Sequence, residues 1–299
     1  MADYIGRFAP SPTGPLHLGS LYAALASYLD ARANGGQWLL RMEDIDPPRE
    51  VPGAADTILH QLEHHGLYWD GPALYQSQRL AAYQQALLTL SEMDLLYPCQ
   101  CNRARLRSLN HVYDGYCRPG RSTPTALNKS EGSAIRIQVP VGYEIYWHDI
   151  VQGQCRSDLR QSTGDFIIMR RDGLFAYQLA VSIDDAYQGI SHVIRGDDLL
   201  DSTPRQLYLL QKLGLQIPSY GHVPVIKNNQ GTKLSKQTFA PALPSSAPGT
   251  SIERCLALLG MSLPSDAAGA PVEQLLQWAS KHWTRTQIPL SSVQVIDPS

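Results

Sequence analysis

The chain has 299 residues, 43% of them hydrophobic, with five Cys and a formal net charge of −2, enough for one large or two ordinary globular domains. No apolar run approaches the ~20 residues that cross a bilayer, and the first residues lack the basic-then-apolar pattern of a secretory signal, so a cytosolic protein with no membrane partner is expected. A nearly neutral chain has no global attraction to nucleic acid, which leaves such contacts to local patches.

Tyr4 to Phe8 is an apolar run of strand length, and Leu18 to Ala33 is a periodic stretch of helix length. The run RFAPSPTGPLHLGS, Arg7 to Ser20, spans the turn between them. Pro10, Pro12 and Pro15 stiffen that turn and Gly14 relieves it, so the amides opening the helix can face an anion with the helix dipole behind them. Phosphate is the expected anion. The spacing is neither a Rossmann fingerprint nor a Walker loop, which removes the main support for NAD or GTP. The turn at Asn34-Gly35-Gly36 leads to a second strand, Gln37 to Met42, ending in Glu43 and Asp44. In an open α/β sheet those acids should face the same crevice as the first turn.

Helices are predicted at Ala54 to His65 and Arg79 to Met93. From about Tyr97 to Gly164 the pattern breaks, with clustered Cys, loop residues and short β-like runs at Ala134 to Val139 and Glu144 to Trp147; this reads as an inserted subdomain. Clustered Cys in a reducing compartment more often bind metal or sit buried than form disulfides. Cys99, Cys101 and Cys117 suit a tetrahedral Zn²⁺ site whose fourth ligand would ordinarily be Cys or His, and His111 fits that chemistry. Reduced, metal-free cysteines are the alternative. Cys155 and Cys255 stand apart as packing residues. Around the cluster, Arg103, Arg105, Arg107, Arg118 and Arg121 form a basic segment with Tyr113 and Tyr116 interleaved. It is a solvated face or a contact for a phosphate backbone.

Regular α/β signals resume at Asp165 to Met169, Leu174 to Ile183 and Ser191 to Arg195, before a helix from Thr203 to Leu213 with Pro204 in its first turn. A Lys-rich loop, GTKLSKQ from Gly231 to Gln237, follows. Residues Ala240 to Gly249 read as a linker before short helices at Ile252 to Leu259 and Val272 to Lys281. The expected organisation is a first catalytic half at 1–96, the insertion at 97–164, a second catalytic half at 165–239, and a linker with a short helical appendage at 240–299.

HLGS at His17 and KLSK at Lys233 resemble the HIGH and KMSKS motifs of class I aminoacyl-tRNA synthetases. EDIDPPR from Glu43, FAYQLAVSIDD from Phe175 and VIRGDDLL from Val193 resemble the glutamyl branch. Five ordered motifs over residues 4 to 237 outweigh the false-positive risk of any one tetrapeptide. The resemblance implies an α/β fold of the class I synthetase type, with a parallel nucleotide-binding sheet, an inserted zinc-bearing subdomain and a short C-terminal helical appendage. It implies ATP, Mg²⁺ with that ATP, and L-glutamate. His17, Lys233 and Lys236 would be catalytic, and His17, Gly19 and Lys236 would hold ATP; for the two lysines a solvated turn is the alternative. Ser20 replaces the second His of HIGH. Arg7, Phe8, Ala9, Pro10 and Ser11 match the stretch at the backbone end of the amino acid. Glu43 matches the ammonium partner, and Tyr177 and Arg195 match positions around the side chain. Arg195 would read the γ-carboxylate, or else form an interior ion pair with Asp197 or Asp198. Asp184 and Asp185 match paired family carboxylates; on a strand they would face opposite sides, so at most one would meet the ligand.

Two departures narrow the resemblance. About sixty residues follow Gln237, near the lower limit of a domain, where full glutamyl-tRNA synthetases carry anticodon-reading helices. Val181 stands where discriminating members carry Asn, which implies a less polar pocket. Both resemble the truncated glutamyl-queuosine branch. There, Tyr at the position of Tyr113 completes the metal set with Cys99, Cys101 and Cys117. The implied activity is tRNA-independent formation of glutamyl-adenylate and esterification of queuosine at the wobble position of tRNA(Asp), gripped by its anticodon arm. No required protein partner is evident. The alternatives are a conventional core that charges tRNA(Glu) and a non-catalytic tRNA-binding paralogue.

Overall fold

The computed structural model describes residues 3–109, 112–118, 132–227, 231, 233, 241–244, 246–291 and 293–294. His111, Arg121 and Lys236 lie outside that set.

β1 (Ile5–Phe8), α1 (Leu18–Ala33) and β2 (Gln37–Met42) form the expected βαβ unit, with β1 and β2 parallel from Ile5↔Gln37 to Phe8↔Leu40. Gly36 permits its tight return: a Cβ there would sit 2.4 Å from the Tyr4 carbonyl oxygen. After α2 (Ala54–His64), β3 (Leu74–Tyr75) adds to β2, and α3 (Leu80–Glu92) follows. β4 (Leu96–Cys99), α4 (Arg103–Arg107), β5 (Ala134–Ile137), β6 (Glu144–Asp149), β7 (Gly153–Asp158) and α5 (Leu159–Ser162) occupy the segment read as an insertion.

Then come β8 (Phe166–Met169), α6 (Tyr177–Tyr187), β9 (His192–Gly196), α7 (Thr203–Leu213), β10 (Ser219–Val223) and β11 (Ile226–Lys227). α8 (Pro248–Leu258), α9 (Val272–His282) and β12 (Val293–Gln294) close the chain. β9 and β10 run parallel, β10 runs parallel to β6, and β6 forms a hairpin with β7. The edge of β1 meets β9 through Ser191 N–H to the Ile5 carbonyl at 2.9 Å and Ile5 N–H to Ser191 Oγ at 2.8 Å. The two parallel halves therefore abut there, and β1, β2 and β9 deliver their carboxyl ends to one side. That is where ligands sit in such folds.

The 97–164 segment is stitched into this frame. Its β6–β7 hairpin extends the sheet beyond β10, and β5 pairs antiparallel with both β4 and β8. The C-terminal helices lie against α1, where Cys255, Leu256, Leu275 and Leu276 join its buried face. Asp30 of α1, fully buried, accepts hydrogen bonds from the Tyr4 hydroxyl, from Trp283 Nε1 at 2.9 Å and from Arg285 Nε at 2.7 Å.

One local expectation fails. Asp184 and Asp185 lie on helix α6, not on a strand. Residues 178–182, 184 and 185 are all buried, and tertiary packing overrides the strand preference of the β-branched Val181 and Ile183 that precede the pair.

Candidate active site

A cleft of about 490 Å³ opens beyond the carboxyl ends of β1, β2 and β9. Arg7, Phe8, Ala9 and Ser11 line it from the first turn, Glu43 from the end of β2, Tyr177 from the start of α6 and Arg195 from β9. His17, Gly19 and Ser20 line it from the start of α1, and Lys233 faces it from the Lys-rich loop. Residues more than two hundred positions apart thus share one cavity, as the sequence suggested. Pro10 is outside the lining and acts through its carbonyl, which accepts from Glu43 N–H at 2.9 Å. Lys236 falls outside the described residues.

His17 caps α1: its Nδ1 accepts the Ser20 N–H at 3.2 Å. The adjacent amides at the helix start leave a site for an anion. The segment after the Lys-rich loop packs on the same turn, with Leu243 N–H bonded to the Leu16 carbonyl at 2.9 Å. Lys233 Nζ lies 2.5 Å from Asp198 Oδ2 at the cleft edge.

Deeper in, charge is arranged in two layers. Asp185 holds Arg7 through Nε at 3.1 Å and Nη2 at 3.3 Å, and holds Arg41 through Nη2 at 2.8 Å. Despite its burial, these guanidinium charges keep the Asp185 carboxyl below its usual range. Asp184 turns elsewhere, to Arg79, Gln76 and Tyr83. Neither aspartate lines the cleft; Asp185 instead fixes the arginines behind it. This role was missed in the sequence, although the Asp-Asp pair was noticed.

Glu43 is different. Arg41 Nη2 is 3.7 Å away, and Glu43 Oε1 is buried with no hydrogen bond among the described residues. Burial pushes its carboxyl up to about 7, against the opposing pull of Arg41 and Arg7. Arg195 also has spare capacity. Its Nε donates to His222 Nε2 at 3.0 Å, its Nη2 donates to Thr203 Oγ1 at 2.9 Å, and its buried Nη1 makes no hydrogen bond among the described residues. The interior pair with Asp197 or Asp198 does not form: Asp197 accepts from Val225 N–H, and Asp198 meets Lys233. Val181, expected to reduce the pocket's polarity, is fully buried in α6 and absent from the lining. The cleft therefore offers a carboxyl and a buried guanidinium, each with an open valence, beside a helix start and a lysine suited to phosphate.

Away from the cleft, the Sγ atoms of Cys99, Cys101 and Cys117 lie within 4.8 Å of one another. The Tyr113 hydroxyl sits 3.4 Å from Cys99 Sγ and 3.5 Å from Cys101 Sγ, and accepts the Cys117 N–H at 3.1 Å. Three sulfurs and one phenol oxygen so converged could hold a metal ion. Burial opposes ionisation of Cys99, but the Tyr113 hydroxyl and the Arg136 guanidinium bring its thiol below the usual value. His111 lies outside the described residues.

Two arginines of the basic segment, Arg105 and Arg118, are neutralised by carboxylates. Arg118 and Arg160 bind buried Asp165 at 2.5 and 2.9 Å, and Arg105 pairs with Asp114 at 2.6 Å. Tyr113 belongs to the Cys cluster, while Tyr116 is exposed beneath the Arg105 guanidinium at 4.4 Å. Arg103 and Arg107 remain on the surface.

The profile of the family described as tRNA synthetases class I (E and Q), catalytic domain, matches residues 5–245. A protein of Escherichia coli O6:H1 named glutamyl-Q tRNA(Asp) synthetase is 52% identical over 97% of this chain and 92% of its own length. A protein of the same name from Thiobacillus denitrificans is 52% identical over 98% of this chain and 97% of its own. Among solved structures, a glutamate tRNA ligase of Elizabethkingia meningosepticum in complex with its amino acid superposes with a TM-score of 0.81 at 28% identity. It covers 98% of this chain, which spans 67% of that one.

Proposed function

The chain belongs to the class I tRNA synthetases of the E and Q type, and from that premise we propose that it activates glutamate with ATP, without tRNA, and passes it to queuosine at the wobble position of tRNA(Asp). The names of its relatives support the acceptor. The observation that carries the amino-acid part is the cleft's pair of open valences, Arg195 Nη1 and Glu43 Oε1. An acidic amino acid presents a side-chain carboxylate for the first and an ammonium for the second.

In this reading Arg195 and Tyr177 hold the γ-carboxylate and Glu43 the ammonium. Arg7, steadied by Asp185, works with Phe8, Ala9 and Ser11 to seat the backbone end; Pro10 contributes by anchoring Glu43. The substrate carboxylate attacks the α-phosphorus of ATP, its Mg²⁺ complex being the substrate, and pyrophosphate leaves. Such chemistry needs alignment and stabilisation of charge on phosphate oxygens rather than a protein nucleophile. His17, Gly19 and the start of α1 hold the phosphates, with Lys233 and Lys236 from the loop. Lys233 then exchanges Asp198 for phosphate oxygen. Attack by a hydroxyl of the queuosine cyclopentenediol on the adenylate carbonyl releases AMP and leaves the ester.

Cys99, Cys101, Tyr113 and Cys117 would hold one Zn²⁺, supplying a structural tie between the end of β4 and residues 113–117. Native mass measurement should then find one zinc per chain, and none in Cys101→Ser. A cytosolic location follows from a tRNA substrate, and among the described residues no helix is long and apolar enough to cross a membrane.

The decisive experiment incubates the enzyme with ATP, labelled glutamate and tRNA(Asp) with or without queuosine, and with tRNA(Glu). Label only on queuosine-containing tRNA(Asp) is expected. Label on tRNA(Glu) would favour a conventional charging core, and absence of glutamate-dependent pyrophosphate exchange would favour a non-catalytic paralogue.

A further inference from the structure

Behind Arg195 runs a buried chain of polar groups carried by three neighbouring parallel strands. Asp149 ends β6, His222 lies on β10, and Arg195 is its register partner on β9. Asp149 and His222 are fully buried, and Arg195 is 5% exposed. Asp149 Oδ1 accepts the backbone N–H groups of Val151, Gln152 and His222 at 2.9 to 3.0 Å, so its position is fixed by main chain. Its Oδ2 lies 2.5 Å from His222 Nδ1.

A carboxylate there requires the proton on Nδ1, which leaves Nε2 with its lone pair. That lone pair accepts Arg195 Nε–H at 3.0 Å. Thr203 Oγ1 accepts Arg195 Nη2–H at 2.9 Å and so holds the second arm of the fork. Asp149 thus sets the tautomer of His222, and the outcome is a guanidinium with Nε and Nη2 committed and Nη1 left open.

We propose that Asp149 and His222 are positioning residues that set the affinity for the acidic side chain by fixing the Arg195 fork. This rests on the reading of Arg195 as the γ-carboxylate ligand. A long cationic side chain in a cleft otherwise has several rotamers, and holding one in advance removes that ordering cost from binding. His222 serves because a neutral imidazole is the side chain that can donate to a carboxylate on one edge and accept from a guanidinium on the other. Burial, aided by the Arg195 charge, pushes its pKa down and keeps it neutral.

The variants separate hydrogen-bond polarity from packing. Asp149→Asn keeps shape but presents an amide donor to Nδ1; the ring proton must move to Nε2, where it meets Arg195 Nε–H. His222→Gln retains an acceptor near the Nε2 position, whereas His222→Asn keeps a polar group toward Asp149 and withdraws the acceptor. Calorimetry should show glutamate Kd rising roughly tenfold or more in Asp149→Asn and His222→Asn, the worth of one hydrogen bond to a charged group. His222→Gln should lose less, and ATP binding should stay level in all three. Arg195→Ala is measured alongside. If it weakens glutamate while Asp149→Asn does not, the positioning role falls and the γ-carboxylate reading stands. If Arg195→Ala leaves glutamate binding unchanged, the underlying reading falls. Should Asp149→Asn fail to fold, the two His222 variants decide: equal losses would mean only packing matters.

Discussion

Two carboxyls withdrawn from solvent, Asp165 and Glu43, are shifted in opposite directions from their ordinary pKa, and the contrast separates what holds the fold from what awaits a ligand. Asp165 accepts hydrogen bonds from Tyr97, Arg118, Arg160 and Val139 N–H. Despite its burial, Arg118 and Tyr97 hold its pKa below the usual carboxylate range. Glu43 is also buried but has one distant guanidinium and an oxygen without a hydrogen bond, so burial wins and its carboxyl rises to about 7. The first site is saturated and the second is open. In a low-dielectric interior an open charged group is tolerated only where something else completes it.

The strongest way to break the comparison is to empty the saturated site. Asp165→Ala strands the Tyr97 hydroxyl and the Val139 N–H in the interior and strips half-buried Arg118 and Arg160 of their carboxylate, each unsatisfied buried group costing about 1–3 kcal/mol. Thermal unfolding should show a large drop in Tm, and an unchanged Tm would remove Asp165 from the framework. Arg195→Ala should act selectively on the ligand: the glutamate requirement rises about a hundredfold, as expected for ~2–3 kcal/mol from a charged hydrogen bond, with the ATP requirement held. Equal effects on both substrates would count against the assignment.

A pH series sharpens the contrast further. An ammonium ligand needs Glu43 ionised, so glutamate affinity should be full above about pH 7 and fall by about tenfold per unit below it. Flat affinity from pH 8 to 6 would oppose Glu43 as ammonium partner. The stability signs differ as well. Asp165, with a lowered folded-state pKa, contributes stability that is present above its unfolded value of about 4 and lost as pH falls. Glu43, raised, binds a proton more tightly folded than unfolded, so its contribution weakens as pH rises toward 7. The smallest effect belongs at the surface: Arg105→Ala breaks the pair with Asp114, and chemical denaturation should register under about 1 kcal/mol.

The motifs with a fixed chain spacing were readable in the sequence. The βαβ unit, the helix from Thr203 to Leu213 and the convergence of His17 with Lys233 follow from periodicity and ordered motifs. What escaped was partner choice. A row of arginines near the Cys cluster looks like a phosphate track until folding brings Asp165 and Asp114 to Arg118 and Arg105. β-branched Val181 and Ile183 gave α6 a strand-like look that packing overrides, and with it went the position of Asp185 behind Arg7. β10 carries Gly221 and His222, which interrupt its apolar run, so the buried Asp149–His222 pair had no signal at all.

The carboxylate of Asp30 gives the last two helices a role beyond decoration. Trp283 and Arg285, just after α9, supply donors to a group sealed beneath α1, where only Tyr4 would otherwise reach it. Removing the chain from α8 onward would strand the buried Asp30 side chain next to the first strand of the sheet. A shortened enzyme should therefore be less damaged when Asp30 is replaced by an apolar residue in the same step, which couples the tail to that one aspartate.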